Sequence, residues 1–405
     1  MMAGSLLAVL LLLSASPITT APRQQILWHV VTPGAANSVA VSGDGAYVAA
    51  GVQTNSTAGR VYLFARPGQT LWSRITDRAI ASVAISADGS LITAGGYRSI
   101  GIAQVYSQGA VYLFGRNGSL LWEKSTGDDP VFEVSISTNG SRITAVTETN
   151  IVQFSDKGGV FWNFSTPYSI CCASAGPMEF TTNESSFYLL NSDGQPVRNG
   201  TAQVATGGAV LSSDGKYVAI GGGNSGFNGT LYFFSTMGRL LWKSHINSAI
   251  LPIAISADDS VIAIGTNWGT IAFNTQGKVL WTYTGGPPMS VAIWGNGSRI
   301  FAGLWSYQEP TLLVFNASGS VVQTFSFGTI HKIALSADSE YLAVAAGPPD
   351  TGPLTATSGS VYLIGEGPGL SQAISFTFLA VASVVLVLGV VGLLAYRRKT
   401  RQPKI

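Results

Sequence analysis

Charge is scarce in this chain: only 10% of its 405 residues are Asp, Glu, Lys or Arg. So few charges disfavour a fold built on surface helices, which need a polar face. The net charge is +2, and Arg397, Arg398, Lys399, Arg401 and Lys404 all lie in the last nine residues. Taking those five from +2 leaves −3 for the rest, so no basic field remains for nucleic acid. Histidine is limited to His29, His245 and His331, none at a metal-ligand spacing such as H-x-x-x-H. There is no G-x-S-x-G elbow. "GGGNSGFNG" (221–229) is glycine-rich, but it joins two expected strands and opens no helix, as a phosphate loop would. Cysteine is reduced to one adjacent pair, Cys171 and Cys172.

What the chain has instead is glycine, 48 residues of it, and hydrophobic residues at 46%. That balance suits short strands joined by tight turns. Two apolar runs mark the ends. Residues 4–16, "GSLLAVLLLLSAS", are too short to span a bilayer comfortably, and 1–21 reads as a secretory signal peptide, with an uncleaved anchor as the alternative. Residues 373–396, "AISFTFLAVASVVLVLGVVGLLAY", carry no charge and are long enough for one transmembrane helix. The basic cluster follows at once, so 397–405 is expected to be a cytoplasmic tail. Residues 22–366 then form the extracellular domain, joined through the linker 367–372, in a type I cell-membrane orientation.

An exported domain makes N-glycosylation plausible at nine Asn-X-Ser/Thr sequons, beginning at Asn55, Asn117, Asn139, Asn163, Asn183, Asn199, Asn228, Asn296 and Asn316. Five of them are Asn-Gly-Ser/Thr, a combination that turns favour for conformational reasons alone.

Two phrases alternate along the interior. One is "SVAVSGDGAYVAAG" (38–51), with copies beginning at 82, 133, 208, 252, 290 and 332. It is apolar alternation, a turn and apolar alternation again, which is a β-hairpin. The other is "GRVYLFARPGQTLW" (59–72), repeated as "GAVYLFGRNGSLLW" (109–122) and again at 150–162, 230–242 and 269–281. It recurs without its Trp at 311–323. Two hairpins per unit of roughly 40–50 residues are the mark of a four-stranded β-propeller blade. The stretch containing "SICCASAGPMEFTTN" (169–183) and "SSFYLLNSDGQPV" (185–197) reads as a degenerate blade whose first turn is shortened, giving an eight-bladed all-β propeller, or a seven-bladed one if that stretch is an insertion. "ILWHV" (26–30) matches a fourth strand and "GSVYLIG" (359–365) a third, so the two ends should share the last blade.

The "S-A-D-G-S" turn resembles that of WD-repeat and TolB-type propellers, and "VYLF-x-x-x-G-x-L-L-W" is similar to the repeat of the pyrroloquinoline-quinone (PQQ)-like propeller family. The resemblance covers about residues 26–366. It implies that Trp28, Trp72, Trp122, Trp162, Trp242 and Trp281 dock between neighbouring sheets. Asp44, Asp88, Asp214, Asp258 and Asp338 fall at turn positions, where a carboxylate satisfies local N–H groups. The family holds both quinoprotein dehydrogenases and noncatalytic assembly scaffolds. In the dehydrogenases a disulfide between adjacent cysteines lies against PQQ beside a calcium ion, so the resemblance offers Cys171–Cys172 as such a vicinal disulfide. Two buried thiols or a structural disulfide are the competing readings of the pair. Aligned by repeat, the pair falls at Ala84 and Ile85, on an innermost strand.

In a blade with strands A to D from the channel outward, A–B and C–D turns share one face and B–C and D–A connections the other. The Asp-Gly turns mark the first face. The second carries the long B–C loops, such as "GGYRSIGIAQVYSQG" (95–109), with Tyr97, Arg98, Tyr106, Phe227, Trp268, Trp305, Tyr307 and Glu309 as candidate ligand-binding residues. Variable loops on a rigid scaffold are where binding resides. The expected function is a noncatalytic, membrane-anchored propeller binding a protein or glycan, with no metal and no cofactor. A PQQ- and calcium-dependent dehydrogenase and a structural cell-envelope component are the alternatives.

Overall fold

The computed structural model describes residues 24–100, 105–166, 170–174, 179–183, 186–201, 206–224, 228–305, 310–347 and 358–366. The segments 1–21 and 367–405, with the apolar run 373–396, lie outside the described residues, as do Phe227, Tyr307 and Glu309. Among the described residues no helix is long and apolar enough to cross a membrane.

Among the described residues every regular element is a β-strand, and the strands form eight antiparallel sheets of four. In chain order these are sheet 1 (35–76), sheet 2 (79–127), sheet 3 (131–165), sheet 4 (170–201), sheet 5 (206–246), sheet 6 (250–284), sheet 7 (288–325) and sheet 8. Sheet 8 is made of residues 330–366 with Gln24–Thr32 added as its outermost strand. Each innermost strand, A, packs on the A strands of both neighbours, and sheet 8 meets sheet 1, so the ring closes. The degenerate segment 170–201 is a complete four-stranded sheet.

Burial follows position in the sheet. B strands such as Arg142–Thr147 and Val261–Thr266 are buried almost throughout, because sheets pack on both of their faces. D strands such as Leu120–Gly127 are mostly exposed, as outer edges must be. Near the axis the sheets converge, and side-chain size is limited accordingly. A Cβ added to Gly51 of a B strand would stand 2.5 Å from Ile80 Cγ2 of the next sheet. Further out, the wedge between sheets widens and is filled by the recurring Trp.

Two register shifts recur. In every A strand the pairing skips at the same place, passing over Asn37, Ala81, Phe132, Cys171, Gly207, Met289 and His331, and in sheet 6 over both Leu251 and Pro252. In seven C–D hairpins it skips at Leu71, Leu121, Phe161, Val197, Leu241, Leu280 and Val322. A bulge suspends strict alternation and re-aims the residue it holds. It therefore puts consecutive apolar residues, such as Leu120 and Leu121, both on the outside.

Candidate binding face

The two faces are fixed by contacts between connections. Arg66, in the C–D turn of sheet 1, donates from Nη2 to the Asp44 carbonyl at 2.9 Å and from Nε to the Gly45 carbonyl at 3.3 Å. Asp44 and Gly45 belong to the A–B turn, so both turn types share the first face. On the second face Arg98, from a B–C hairpin, reaches Asp77 in a D–A connection.

On the first face the repeated residues are structural. The Trp72 Nε1–H donates to the Arg116 carbonyl of the next sheet at 2.7 Å, and Trp28, Trp122, Trp162 and Trp242 make the same bond to Arg66, Asp156, Ser192 and Thr275. Trp281 docks on Gly319 in the same way, but its indole N–H has no partner. Asp88 Oδ1 accepts from Ser86 Oγ at 2.7 Å and from the Ser90 amide at 3.0 Å, and those two donors, the hydroxyl first, hold its carboxyl at about 2. Asp44, Asp214, Asp258 and Asp338 take the same bonds from Ser42, Ser212, Ser256 and Ser336. Four sequon asparagines serve turns as well: Asn55, Asn117, Asn139 and Asn316 each accept from the amide and hydroxyl of the Ser or Thr two residues on.

The second face does not repeat. In sheet 2 the stretch expected to be a loop, 95–109, is strand for most of its length. Leu91–Ile100 and Val105–Gly115 extend the B–C hairpin beyond the sheet, with Arg98 opposite Ser107 and Ser99 opposite Tyr106. Alternation through "YRSI" and "VYSQ" continues the pairing, and a kink at Gln108, with φ +51°, turns the hairpin. Asp77 pins its base. Its carboxylate accepts from Tyr112 Oη at 2.6 Å and Arg98 Nη2 at 3.0 Å and pairs with Arg78, whose Nε also donates to the Gln108 carbonyl. Burial pushes the Asp77 carboxyl upward, but Tyr112 and the two guanidiniums outweigh it and leave it below its ordinary value. Burial first, and then Asp77, raise Tyr112. Asp129 plays a similar part in sheet 3, accepting from the Glu148 amide at 2.9 Å and Asn150 Nδ2 at 2.7 Å.

The hairpin presents an aromatic cluster. Tyr97 and Tyr106 have ring centroids 4.6 Å apart, and Phe132 from the A-strand bulge of sheet 3 closes the group at 5.8 and 6.0 Å. Burial, followed by the neighbouring Tyr106, pushes Tyr97 up to about 12. Tyr106 and Phe132 are exposed. A second group lies on sheets 6 and 7, diametrically across the eightfold ring: Leu251 and Met289 on their bulges, Trp268 in a two-residue B–C turn, and Trp305, whose amide bonds the Pro287 carbonyl at 3.1 Å. All four are exposed. Between the groups, on sheets 8 and 1, the mouth is polar. His331 Nδ1 lies 3.3 Å from Asn37 Oδ1, and Asn37 Nδ2 donates to the Ile80 carbonyl at 3.1 Å.

Of the candidate residues, Tyr97, Arg98 and Tyr106 come together, and Trp268 and Trp305 share the opposite group. Sequence reasoning missed Asp77, Phe132, Leu251 and Met289. The bulge position could have revealed the last three, because it is the variable column just before each repeated A-strand phrase. The register also corrects the alignment of the cysteines. Cys171 is the bulged residue and Cys172 pairs with Thr182, which matches them to Ala81 and Ser82 rather than to Ala84 and Ile85. The A–B hairpin of sheet 4 is shorter than in the other copies, so matching by repeat placed the pair too far along the strand. Among the described residues no three His, Cys, Asp or Glu side chains converge as metal ligands.

Eight four-stranded sheets closed in a ring, with docked tryptophans and a non-repeating second face, define a β-propeller. Its repeats resemble those of PQQ-like propellers, and residues 150–328 match the family model described as outer membrane protein assembly factor BamB. Curated protein sequences yield no match. Among solved structures the fold is similar to BamB from Moraxella catarrhalis, at 15% identity and a TM-score of 0.60, over 84% of this chain and 99% of that one. It is also similar to Sqt1 from Chaetomium thermophilum bound to the N-terminus of the ribosomal protein L10, at 13% identity and a TM-score of 0.65, over 83% and 97%. The Dos1 propeller is similar at 14% identity and a TM-score of 0.63, over 84% and 95%.

Proposed function

We propose that this chain is a noncatalytic, membrane-tethered propeller that holds a protein partner on its second face. The observation that carries this reading is the pair of exposed apolar groups, Tyr97–Tyr106–Phe132 and Leu251–Trp268–Met289–Trp305, facing each other across the ring. Aromatics and Met displayed on a rigid, non-repeating surface are the composition of protein-binding hot spots. The protein ligand in the Sqt1 complex supports the same class of partner, as does the assembly role in the BamB description. A glycan is the second ligand class that aromatic platforms suit. The apolar run 373–396 with its basic flank supports the tether, with the propeller outside the cell and its sequons away from the first face, such as Asn55 and Asn228, open to glycosylation.

Affinity capture from the producing cells tests the reading, comparing the wild type with a Tyr106→Ala, Phe132→Ala variant and a Trp268→Ala, Trp305→Ala variant. Loss of the same captured protein from either variant, at unchanged thermal stability, is the expected result. Identical capture by all three proteins overturns the second-face assignment.

A further inference from the structure

The rim of the first face carries an apolar series that the second-face reading does not use. Leu27, Leu71, Leu121, Phe161, Leu241, Leu280 and Val322 stand immediately before the docking position of the D strands, one on each of seven sheets. All are between 38% and 53% exposed. The residue before each is exposed and apolar too in six of the seven sheets, Thr70 being the exception. In sheet 4 the same position is Val197, with Pro196 before it and Arg198 at the docking position. Docking explains the Trp that follows in six of the seven, but among the described residues nothing covers these side chains completely.

Their position is specific. D strands begin at the C–D turns, so the series runs round the perimeter at the edge of the first face. Exposed cations stand in those turns just ahead of it: Arg116, Lys157, Arg239 and Lys278. Five acids of the face, Asp44, Asp88, Asp214, Asp258 and Asp338, lie further in, on the A–B turns, each capped by its own serine, while Asp156, paired with Lys157, and Asp193 stand in the C–D turns of sheets 3 and 4. The last strand of sheet 8 ends on this same face, since Gly365 pairs with Tyr341, the first B-strand residue after the A–B turn. Residues 367–372 then separate Glu366 from the uncharged run 373–396, a reach of at most about 25 Å for extended chain.

We infer that this girdle seats the propeller on a lipid bilayer, its apolar side chains entering the interface and the turn cations meeting the headgroups. An apolar element on each of seven sheets is spread too widely for one protein patch of ordinary size, about 800 Å² a side. A plane parallel to the first face meets all of them together. Apolar groups bordered by Lys and Arg are also the composition by which interfacial elements hold a membrane surface. The inference rests on the membrane-tethered reading above, and it makes the first face lipid-facing while the second stays free.

The full-length protein in phosphatidylcholine nanodiscs carrying a diazirine-labelled phosphatidylcholine tests this, with labelled peptides mapped by mass spectrometry. Labelling is expected on 373–396 and on the girdle peptides around Leu121, Phe161, Leu241 and Leu280, with none around Tyr97–Tyr106 or Trp268. Replacing Leu121, Leu241 and Leu280 by Gln should abolish the girdle labelling and leave that of 373–396. Labelling of 373–396 alone in the wild type overturns the girdle and keeps the tether; no labelling anywhere overturns both. A glycan attached at Asn117 or Asn316, beside the girdle, also overturns it.

Discussion

The indole of Trp72 lies across Gly118 of the next sheet, so that a Cβ there would stand 2.7 Å from the Trp72 Cγ. Gly118 also has φ +78°, in the left-handed region. Close approach and backbone conformation thus both require glycine. Gly127, at φ +71°, has nothing within 4 Å of its virtual Cβ. Gly118→Ala should cost about 3 kcal/mol, combining left-handed strain with overpacking, and Gly127→Ala about 1 kcal/mol from strain alone. Urea denaturation midpoints at unchanged m-value check the difference.

The indole bonds separate two tryptophans that look equivalent in sequence. Trp72→Phe deletes a bond to a backbone carbonyl, whereas Trp281→Phe deletes none. The first substitution should therefore cost about 1 kcal/mol more than the second, a net hydrogen bond's worth. Thermal unfolding of the two variants measures it.

Asp88 gives an acid-side dependence. Its folded carboxyl is held at about 2 by Ser86 and Ser90, against about 3.9 in an unfolded chain. The folded value is depressed, so its stabilisation is full above pH ~4 and lost as pH falls through ~2. Asp88→Asn should flatten the fall in melting temperature across that window.

Asp259 behaves in the opposite sense. Burial, and then the neighbouring Asp214 carboxylate, push it up to about 6. Its stabilising contribution is present below pH ~4 and lost as pH rises through ~6. It also occupies, at φ +58°, the turn position that glycine takes in the other Asp-Gly copies. Asp259→Gly removes both the raised carboxyl and the strain, and should raise stability at pH 7.5 by about 1 kcal/mol or more. Calorimetry should show the gain shrinking towards pH 4.

Asp77 is the pin of the projecting hairpin. Asp77→Asn removes the charge that Arg78 and Arg98 share, and amides of Ser99–Ile100 and Val105–Ser107 should exchange with deuterium faster. Exchange in the buried B strand of sheet 3 should stay unchanged. Equal acceleration in both places would mean that Asp77 supports the whole ring rather than the hairpin.

The scaffold was legible because it repeats. Alternation, Asp-Gly turns and the periodic Trp each report a local requirement that recurs from sheet to sheet, the Trp in six of the eight. Even the missing Trp has a reason in the ring. Gln323 takes that position in sheet 7, whose neighbour, sheet 8, joins its two outer strands by no C–D turn, so there is no turn glycine or carbonyl to receive an indole. The binding face was harder to read because its key positions are set by pairing. Phe132 precedes the phrase "EVSISTNG" by one residue, in a column that varies from copy to copy, and the register shift shows that it, Leu251 and Met289 share one ring. The hairpin at 95–109 looked like a loop because its glycines and polar residues mask an alternation that pairing completes.

Closing the last sheet with Gln24–Thr32 has a mechanical consequence. The strand Gly359–Glu366 comes last in the ring, yet it lies inside its sheet, between Tyr341–Ala346 and Gln24–Thr32. Tension applied at Glu366 must shear two hydrogen-bonded ladders at once and cannot peel one from an edge. A pull on the C-terminal end is thus borne by both ends of the chain together.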